Sequence, residues 1–512
     1  MRAHILVVLF CAVTLITPAQ VPPQPARTRS LSLQECLELA LAHNLDLQIQ
    51  RVTSQMAGYT LAGAYGVYIP VLSFNASLGH DAIPANFDLR KFNDYFPAVL
   101  NSDQLGAAVT GQLPVGMSYD LGGFVREDNA WTDFRSDPED AAAFPGGTRQ
   151  TNNYFADTRI TLRQHLLKDF WIDSARTTIL LRKKDVSMSQ LAVRFQIMQT
   201  ILAVELSYYD LVAAREQVRV QKQGVELAQQ LVDETRRRVQ VGDLPPLDSE
   251  QAEAQLQEVL THLAAAREAY TTRQNTLKKL LTDYFREWVD LDLQLTDALL
   301  AIPAEVDRSE SFRNALKNRP DLVSARLAVE KRAVVVKFQH NQLFPNLDLV
   351  GRLGASGVSA DYGTAMNQAF RYSDADYFGG IVLSFPLSLS AERGNYRASK
   401  AAKEIAELQL KQAEEEVLVE IADYVNRVQS RFSQVGSARQ ARTFAEAALA
   451  AEQKKLQNGL STSFFVLQLQ QTLTAARMTE VQALVDYNKA QAQLAFADAT
   501  MLEKRGMALE PK

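Results

Sequence analysis

The sequence predicts a mainly α-helical α+β protein, in which long antiparallel coiled-coil helices are combined with short strands. Three observations lead to this fold class. Apolar residues recur every seven positions over a very long segment, the second half of the chain repeats the first, and short stretches of alternating apolar and polar residues lie at equivalent points of the two halves. Heptads indicate helices packed side by side, whereas alternation indicates strands with one apolar face.

The heptad pattern lies in a helix predicted over residues 170–240. Its apolar positions are seven residues apart: Ile197, Val204, Leu211, Val218, Val225, Val232 and Val239. A strict seven-residue repeat keeps its seam facing one neighbour only when helices supercoil around each other. Such a helix would extend about 100 Å at 1.5 Å per residue. It must therefore run beside partner helices for most of its length.

The internal repeat has a constant spacing. The segment "ALAHNLDL" from Ala40 matches "ALKNRPDL" from Ala315, and "YIPVLSFNASLG" up to Gly79 matches "LFPNLDLVGRLG" up to Gly354, both 275 residues further on. A constant offset indicates one structural unit present twice. We place the two units at residues 20–284 and 309–504, with a linker at 285–308 and a C-terminal tail at 505–512.

Each unit is predicted to contain a helix, a strand, a loop, a second strand, a long helix, a tip and a returning helix, in that order. In the first unit these elements are predicted at residues 32–63, 69–79, 80–153, 154–166, 170–240, 241–246 and 247–284. In the second unit they are predicted at residues 309–343, 345–355, 356–376, 377–389, 391–457, 458–461 and 462–504. Pro70 and Pro345 end the first helices because proline cannot continue a helix, and Gly242 and Gly459 mark the tips.

The long loop of the first unit contains a further strand-like segment at residues 105–125. Met117, Tyr119 and Leu121 alternate there with Ser118 and Asp120, after a turn at "PVG". This pattern is typical of a hairpin. Two placements are open at this stage: the hairpin extends the sheet formed by the other strands, or it decorates the exterior.

The N-terminus has the features of a secretory signal over residues 1–19. Arg2 and His4 precede the apolar run from Ile5 to Ile16, which is too short to span a membrane, and "TPAQ" fits cleavage after Ala19. Lipidation of Cys11 is not expected, because the bulky Phe10 stands where a small residue normally precedes a lipidated cysteine. Cleavage would leave Cys36 as the only thiol, so no intrachain disulfide can form.

Composition and motifs argue against several function classes. The net charge is -5 and no basic block is present, so we do not expect a nucleic-acid partner. The segment "GAAVTGQ" has the spacing of a phosphate loop, but Gln112 replaces the lysine that would bind phosphate. The six histidines lack the spacing of a metal site. We therefore predict no enzyme activity, no catalytic residues, no cofactor and no metal.

Amphipathic strands in an exported chain suggest a membrane location. Strands that face lipid must belong to a closed barrel, because unpaired amides are too costly in hydrocarbon. The four strands predicted here are too few to close one, so several copies would have to share it, usually with cyclic symmetry. The alternative is a secreted or periplasmic structural coiled-coil protein, whose strands form sheets between domains.

Together, the signal, the duplicated order of elements, "ALKNRPDL", the proline-led strands and the two glycine tips resemble the TolC-like outer-membrane efflux proteins, or outer membrane factors. The resemblance covers nearly the whole mature chain. It implies a homotrimer in the lipid of the cell outer membrane. Four strands per chain would close one transmembrane β-barrel, and the long helices would continue it as a periplasmic α-barrel.

The resemblance also implies a function and partners. Such proteins are passive exit ducts of tripartite efflux or type I secretion systems, and they carry substrates from a periplasmic adaptor and an inner-membrane pump to the exterior. The helix tips would face the adaptor. The residues expected to contact it by position are Val241, Gly242, Asp243, Asn458, Gly459 and Leu460.

The resemblance further implies an acidic residue shortly after each tip glycine, at the entrance of the duct. Asp248 fits in the first unit, but Phe465 stands at the matching place in the second, and Ser461 stands where the best-known members carry an arginine. We therefore expect an entrance narrowed by Phe464 and Phe465 with a ring of Asp248. The alternative is that the two phenylalanines pack between helices, since paired aromatic side chains are seldom exposed.

Overall fold

The structure of the chain is a computed structural model, and it describes residues 27–84, 86–88, 93–95, 98–133, 148–242, 245–303, 306–372, 374–458 and 460–506. The predicted signal therefore lies outside the described residues. Contacts divide the chain into two compact units. The tip unit comprises described residues of Met1–Leu45, Thr200–Glu305 and Asn426–Gln493, and the sheet unit comprises those of Asp46–Gln199, Val306–Val425 and Leu494–Lys512.

The strands are β1 (Arg27–Leu31), β2 (Val71–Ile83), β3 (Asn86–Asp88), β4 (Asn93–Tyr95), β5 (Ala98–Gln112), β6 (Met117–Asp133), β7 (Thr148–His165), β8 (Leu291–Leu295), β9 (Asn346–Ser359) and β10 (Ala375–Ser384). The helices are α1 (Leu33–His43), α2 (Leu45–Ala64), α3 (Ser174–Gln240), α4 (Pro246–Leu281), α5 (Arg308–Asn318), α6 (Pro320–Asn341), α7 (Tyr362–Phe370), α8 (Ser390–Gln457), α9 (Ser463–Ala497) and α10 (Met501–Lys504). None of the helices in the described ranges combines the length and the hydropathy needed to cross a bilayer.

The sheet unit contains a six-stranded antiparallel sheet in the order β10–β9–β7–β6–β5–β2. The sequence predicted four strands, with a loop over residues 80–153. That loop prediction is corrected, because β5 and β6 occupy much of the segment and lie between β2 and β7. Of the two placements for the hairpin at 105–125, the structure has the one that extends the sheet.

The β5–β6 hairpin closes in a tight turn. The N–H of Leu113 donates to the Met117 carbonyl at 2.7 Å, and the N–H of Gly116 donates to the Leu113 carbonyl at 2.9 Å. Gly116 has a φ of +81°, a conformation that other residues adopt only with strain. The Gly, Asn and Asp residues of the segment favoured a loop prediction, whereas in the sheet some of them, such as Gly106 and Asp120, lie between apolar residues of a strand.

Residues 356–376 were predicted as a loop, and the structure corrects this as well. The ends of β9 and β10 occupy part of the segment, and α7 lies between them. Asp361 caps α7, because its side chain accepts a hydrogen bond from the Thr364 N–H at 2.8 Å. Ala365 and Ala369 are buried against Ala156 of β7, so the helix packs on one face of the sheet.

The first helix of each sequence repeat is interrupted at the same point. Residues 32–63 and 309–343 were predicted as single helices, but the chain leaves helical geometry at Asn44 and at Arg319, which are 275 residues apart. Pro320 accounts for the second interruption, because proline disfavours helical geometry in the residue before it. The result is two helix pairs, α1–α2 and α5–α6.

In the tip unit, the predicted linker at 285–308 contributes a strand. β8 pairs in parallel with β1, and Leu31 and Leu293 are buried in this small sheet. Asp297 follows β8 and accepts hydrogen bonds from the Leu33 N–H at 2.8 Å and from the Tyr208 hydroxyl at 3.0 Å. The nearby Cys36 is buried, and this burial raises the pKa of its thiol to about 12. Its thiolate is therefore scarce at neutral pH.

The heptad positions of α3 form its buried side. Ile197, Val204, Leu211 and Val232 are buried, and Val218, Val225 and Val239 are half-buried. The positions three residues later follow the same trend, with Thr200 and Thr235 buried. In the tip unit, Leu231 packs with Leu449 and Leu456 of α8 and with Val466 and Leu473 of α9. The heptad positions therefore mark the buried side of α3, and the neighbouring Leu231 contacts α8 and α9.

Candidate functional site: an apolar sheet face and two helix tips

One face of the six-stranded sheet carries almost only apolar side chains. Residues paired directly across antiparallel strands point to the same face. One such row crosses the whole sheet and consists of Leu72, Val109, Leu121, Ile160, Leu353 and Tyr377. Each of these side chains is exposed or half-buried. The row is therefore a continuous apolar surface that no other part of the described chain covers completely.

Neighbouring rows on this apolar face extend it along the strands. The next rows are Phe74–Ala107–Gly123–Thr158–Ala355–Ala375, Ala76–Leu105–Val125–Ala156–Gly357, Gly111–Tyr119–Leu162–Gly351–Gly379 and Met117–Gln164–Leu349–Ile381. These five rows contain no charged side chain. The row beyond Ala76 contains Asp103 and Glu127, where the apolar face ends. Helix α7 packs near this end, against Ala156.

The opposite face of the same sheet is charged. Its ionisable side chains are Asp81, Asp120, Arg126, Asp128, Arg149, Asp157, Arg159, Arg163, His165, Asp348, Arg352 and Asp376. Several of them form ion pairs, with Arg126 at 3.0 Å from Asp128 and Arg352 at 3.2 Å from Asp376. Both signs of charge occur on this face. The sheet therefore separates an apolar surface from a charged one, across the thickness of a single layer.

The first helix tip joins α3 to α4. The N–H of Val241 donates to the Arg237 carbonyl at 3.2 Å, and Gly242 then takes a φ of +83°. Many helices end at a glycine in this left-handed conformation, and Gly242 ends α3 in the same way. Val241 is exposed, and no heavy atom outside the tip lies within 4 Å of the position where a Gly242 side chain would begin. Asp243 lies outside the described residues.

Helix α4 begins directly after this tip. Pro246 occupies its first turn, where the missing N–H of proline costs nothing. Asp248 lies in the same turn, its N–H donates to the Pro245 carbonyl at 3.1 Å, and its side chain is half-buried. A carboxylate is favoured there by the helix dipole. The charge of Asp248 therefore lies in the first turn of α4, directly after the tip.

The second helix tip joins α8 to α9. The N–H of Asn458 donates to the Lys454 and Lys455 carbonyls at 3.2 and 3.1 Å, and Leu460 donates to Lys455 at 2.9 Å. Asn458 and Leu460 are exposed, and Gly459 lies outside the described residues. The Ser461 hydroxyl donates to Glu452 Oε1 at 2.5 Å.

The Ser461–Glu452 bond was not predicted from the sequence, because its partners lie nine positions apart across the turn. This hydrogen bond, together with Lys455, lowers the pKa of the Glu452 carboxyl below its usual value. Glu452 is therefore charged at neutral pH. Because the pKa is lowered in the folded chain, the small stabilisation from these contacts is present at neutral pH and is lost as pH falls through that pKa.

Phe464 and Phe465 begin the returning helix α9. Their ring centroids are 5.8 Å apart at an angle of 72°, and the two residues are 61% and 52% exposed in the chain. The next residue, Val466, is buried in the cluster of α3, α8 and α9 side chains. Within one chain the two phenylalanines therefore do not pack between helices. They remain available to a lumen, to a second copy or to another protein.

The left-handed Gly242 leads to a prediction about the tip. Gly242→Ala is expected to destabilise the turn by about 1 kcal/mol, because a side chain disfavours positive φ. Amide hydrogen exchange at residues 237–241 should accelerate about fivefold. Gly436→Ala in α8 is the control, since it meets no atom within 4 Å and replaces glycine inside a helix. Exchange near residue 436 should slow or stay constant, and unchanged exchange at the tip in Gly242→Ala would contradict the prediction.

Comparison with known proteins identifies relatives of the chain. A family model described as "Outer membrane efflux protein" matches residues 170–282 and 312–500. The outer membrane protein TolC of Escherichia coli K12 is 23% identical over 316 residues, which are 60% of this chain and 63% of TolC. The outer membrane efflux protein BepC of Brucella suis is 23% identical over 342 residues, 67% of this chain and 71% of BepC. The alignment thus spans less than two thirds of the E. coli TolC.

Solved structures with the same fold extend further along the chain. The outer membrane protein VceC of Vibrio cholerae superimposes with a TM-score of 0.64 at 16% identity, over 91% of this chain and 95% of VceC. The CmeC outer membrane channel of Campylobacter jejuni does so with a TM-score of 0.65 at 16% identity, over 92% of this chain and 86% of CmeC. At this identity the likeness establishes the fold, and the predicted TolC-like fold class is confirmed.

Proposed function

Because this chain belongs to the outer membrane efflux protein family, we propose that three copies form the exit duct of a tripartite efflux or type I secretion system. The chain is an outer-membrane protein rather than an enzyme. In our proposal it conducts substrates passively from a periplasmic adaptor and an inner-membrane pump to the exterior. The pump and its energy source would then drive the transport in one direction, and the duct would only provide the passage.

The observation that carries the proposal is the two-faced sheet. A strand wall between lipid and water needs an apolar face outside and a polar face inside. The five uncharged rows extend about 27 Å along the strands at 3.4 Å per residue. At a strand tilt of about 40° their height is about 21 Å, close to the apolar band of about 25 Å on outer-membrane barrels. We therefore assign the apolar face to lipid and the charged face to the lumen.

The helices supply the second part of the duct. α3 and α8 contain 67 and 68 residues, and each is followed by a tip and a returning helix, which suits the wall of a tunnel through the periplasm. The buried heptad seam holds neighbouring helices together, and partly exposed seam positions such as Val218 and Val225 leave apolar surface for further packing. We therefore propose a homotrimer with an outer-membrane and a periplasmic portion.

We assign the two helix tips to the contact with the adaptor and to the entrance of the duct. Val241, Asn458 and Leu460 are exposed, which suits a contact with another protein. Gly242, Asp243 and Gly459 belong to the same contact by position. Phe464 and Phe465, with a ring of Asp248, would narrow the entrance. Ser461 stands where the resemblance would place an arginine and is bonded to Glu452 of its own chain, so an ionic lock does not enter this assignment.

The function is tested by fractionation and conductance. The mature chain should sediment with outer membranes, purify in detergent as a trimer, and give stable channels in planar lipid bilayers. Coexpressed adaptor should form cross-links with cysteine placed at Val241 or Leu460. A water-soluble monomer that forms no channels would instead support the structural coiled-coil alternative.

The entrance assignment leads to a separate prediction. Phe465→Ala and Phe464→Ala are expected to raise single-channel conductance in planar bilayers, because each removes three aromatic rings from the narrowest point of a trimer. Phe444→Ala is a matched control, since Phe444 is an exposed phenylalanine on α8 away from the tips. Conductance unchanged in both tip variants would place the phenylalanines outside the entrance. An equal rise in Phe444→Ala would show that the effect is not local.

A further inference from the structure

We propose that the outer-membrane wall is built from six strands of each chain, eighteen in a trimer, with the β5–β6 hairpin as a full part of the wall. The family resemblance implied four strands per chain and twelve in all. This inference rests on the proposed trimeric duct and specifies its bore. Three observations support it: the height of the hairpin, its two faces, and the match between strand and helix widths.

The hairpin extends over the whole height of the sheet. Its turn lies at the end of the sheet from which β7 leads into α3, since Met117 pairs with Gln164 and Ser118 with Arg163. A side chain on Gly116 would begin 2.5 Å from Arg176 Nη2 of α3. Arg176 in turn donates to the carbonyls of Asp169 and Phe170 at 2.8 and 2.7 Å. The turn therefore rests on the strand-to-helix junction, which a hairpin on the outer surface alone would not reach.

The hairpin has the same two faces as the rest of the sheet. Leu105, Val109, Tyr119, Leu121 and Val125 lie on the apolar face, in rows shared with β2, β7 and β9. The charged side chains at neighbouring positions of β6, such as Asp120 and Arg126, lie on the other face. A hairpin exposed to water on both sides has no need of an apolar side. This pattern fits strands that separate lipid from an aqueous lumen.

The two edges of the sheet fit a second copy of the chain. β2 and β10 are the edge strands, and they run in opposite directions because directions alternate across six strands. Unpaired edge amides cannot remain in a lipid environment. Pairing β10 of one copy with β2 of the next is antiparallel, so it continues the alternation and closes the wall by cyclic symmetry. The hairpin lies inside each copy and is not needed for this junction.

Four helices of the sheet unit lie below the sheet in a matching order. Ser54 of α2 is 3.1 Å from Ser189 of α3. Lys184 and Asp185 of α3 pair with Glu330 and Lys331 of α6. Arg326 of α6 is 3.0 Å from Glu414 of α8. The helix order is therefore α2–α3–α6–α8, and these helices continue β2, β7, β9 and β10 respectively. Of the six strands in this sheet, only β5 and β6 are not connected along the chain to one of these four helices.

Widths explain why a wall of six strands fits this helix layer. Four helices packed about 9.5 Å apart occupy about 38 Å of circumference. Strands spaced about 4.8 Å apart and tilted about 40° occupy about 6.3 Å of circumference each. Six strands then cover about 38 Å and four strands only about 25 Å. The hairpin therefore lets the strand wall match the helix layer without tapering. Walls of sixteen to eighteen strands leave an open aqueous channel.

The test places single cysteines along β5 in a Cys36→Ala background, each labelled with an environment-sensitive fluorophore in lipid nanodiscs. Ala107→Cys and Val109→Cys lie on the apolar face, and Ala108→Cys and Thr110→Cys lie on the charged face. The first pair should be quenched by brominated lipid and the second pair by aqueous iodide. Ile160→Cys and Thr161→Cys in β7 are controls for a strand that both architectures place in the wall. Mass measurement of the detergent-corrected particle gives the number of copies.

A trimer with alternating quenching along β5 supports eighteen strands. A conducting trimer in which β7 alternates but all four β5 labels respond only to iodide would overturn this inference and leave the proposed function intact. A monomer without conductance would contradict both. As a second measurement, deletion of residues 84–147 should reduce the bore seen from the outer side. The smallest polyethylene glycol that is excluded from the channel should then have a radius about one third smaller in the deletion variant than in the full chain. This is the change expected when a barrel of eighteen strands becomes one of twelve.

Discussion

Ile160→Arg is expected to prevent stable assembly in the outer membrane, and Thr161→Arg, one residue away, is expected to be tolerated. Ile160 lies in the middle row of the apolar face, whereas Thr161 lies on the charged face opposite Asp120 and Arg352. An arginine that faces lipid near the middle of the membrane costs about 2–4 kcal/mol, and in a trimer this cost occurs three times. An arginine beside Asp120 instead gains a carboxylate partner.

The comparison is made on outer-membrane fractions and on heat-resistant trimers in gels. Ile160→Arg should lose most of the trimer, and Thr161→Arg should retain it. The two variants have the same change in charge and a similar change in volume, so a difference between them reports the face alone. Equal loss in both variants, or loss only in Thr161→Arg, would contradict the assignment of the apolar face to lipid.

Arg319→Met is expected to destabilise the sheet unit by about 2–3 kcal/mol, because it leaves two carboxylates without their shared partner. The Arg319 guanidinium is 3.0 Å from Asp321 and 2.6 Å from Glu420 of α8, and its Nη1 donates to the Ala497 carbonyl at 3.4 Å. It therefore ties the interrupted helix to two other helices. The Arg319 side chain is only 9% exposed, whereas the Asp321 and Glu420 side chains are 37% and 31% exposed, so water compensates only in part for the lost contacts.

Arg326→Met is the control for this prediction. Arg326 also forms an ion pair, at 3.0 Å from Glu414, but its side chain is 41% exposed. Exposed pairs contribute about 0–1 kcal/mol. The apparent thermal unfolding temperature, followed by helical circular dichroism at one scan rate, should fall clearly in Arg319→Met and little in Arg326→Met. Similar shifts in the two variants would mean that burial does not decide the contribution of these ion pairs.

The long helices and their packing seam were accessible from the sequence because a heptad is a strong and extended signal. Ile197, Val204, Leu211 and Val232 were selected by spacing alone, and all four are buried. The interruption at Asn44 was missed because no proline marks it, although its repeat partner Arg319 precedes one. The membership of an outer-membrane efflux family, inferred from the order of elements, is confirmed.

The sheet was predicted incompletely because strand signals in such proteins are weak. Alternation in β5 and β6 is diluted by glycines and by polar residues on the charged face, so the segment has the composition of a loop. Asn75, for example, lies against Gly106, and a side chain there would begin only 2.5 Å from the Asn75 amide. Such close strand approaches require glycine within a strand. In the sequence alone, the same glycine indicates a turn rather than a strand.

In the candidate site, the positions of the two tips could be predicted from their glycines. The surroundings of the tip side chains could not be predicted from the sequence. Gly242 marks a reversal because few other residues adopt positive φ. The exposure of Phe464 and Phe465 depends on which face of α9 meets α3 and α8, and heptads do not specify that near a helix end. Their role as an entrance remains a prediction for the conductance experiment.

The hairpin enters and leaves the sheet at the same end. It therefore adds two strands to the sheet in the first repeat without displacing a helix, and the described residues between β9 and β10 in the second repeat contain no such hairpin. In the proposed trimer, gain or loss of such a segment would change the outer mouth by six strands and leave the inner aperture unchanged. In the proposed duct, the outer mouth would thus vary by whole hairpins and the inner aperture by single side chains.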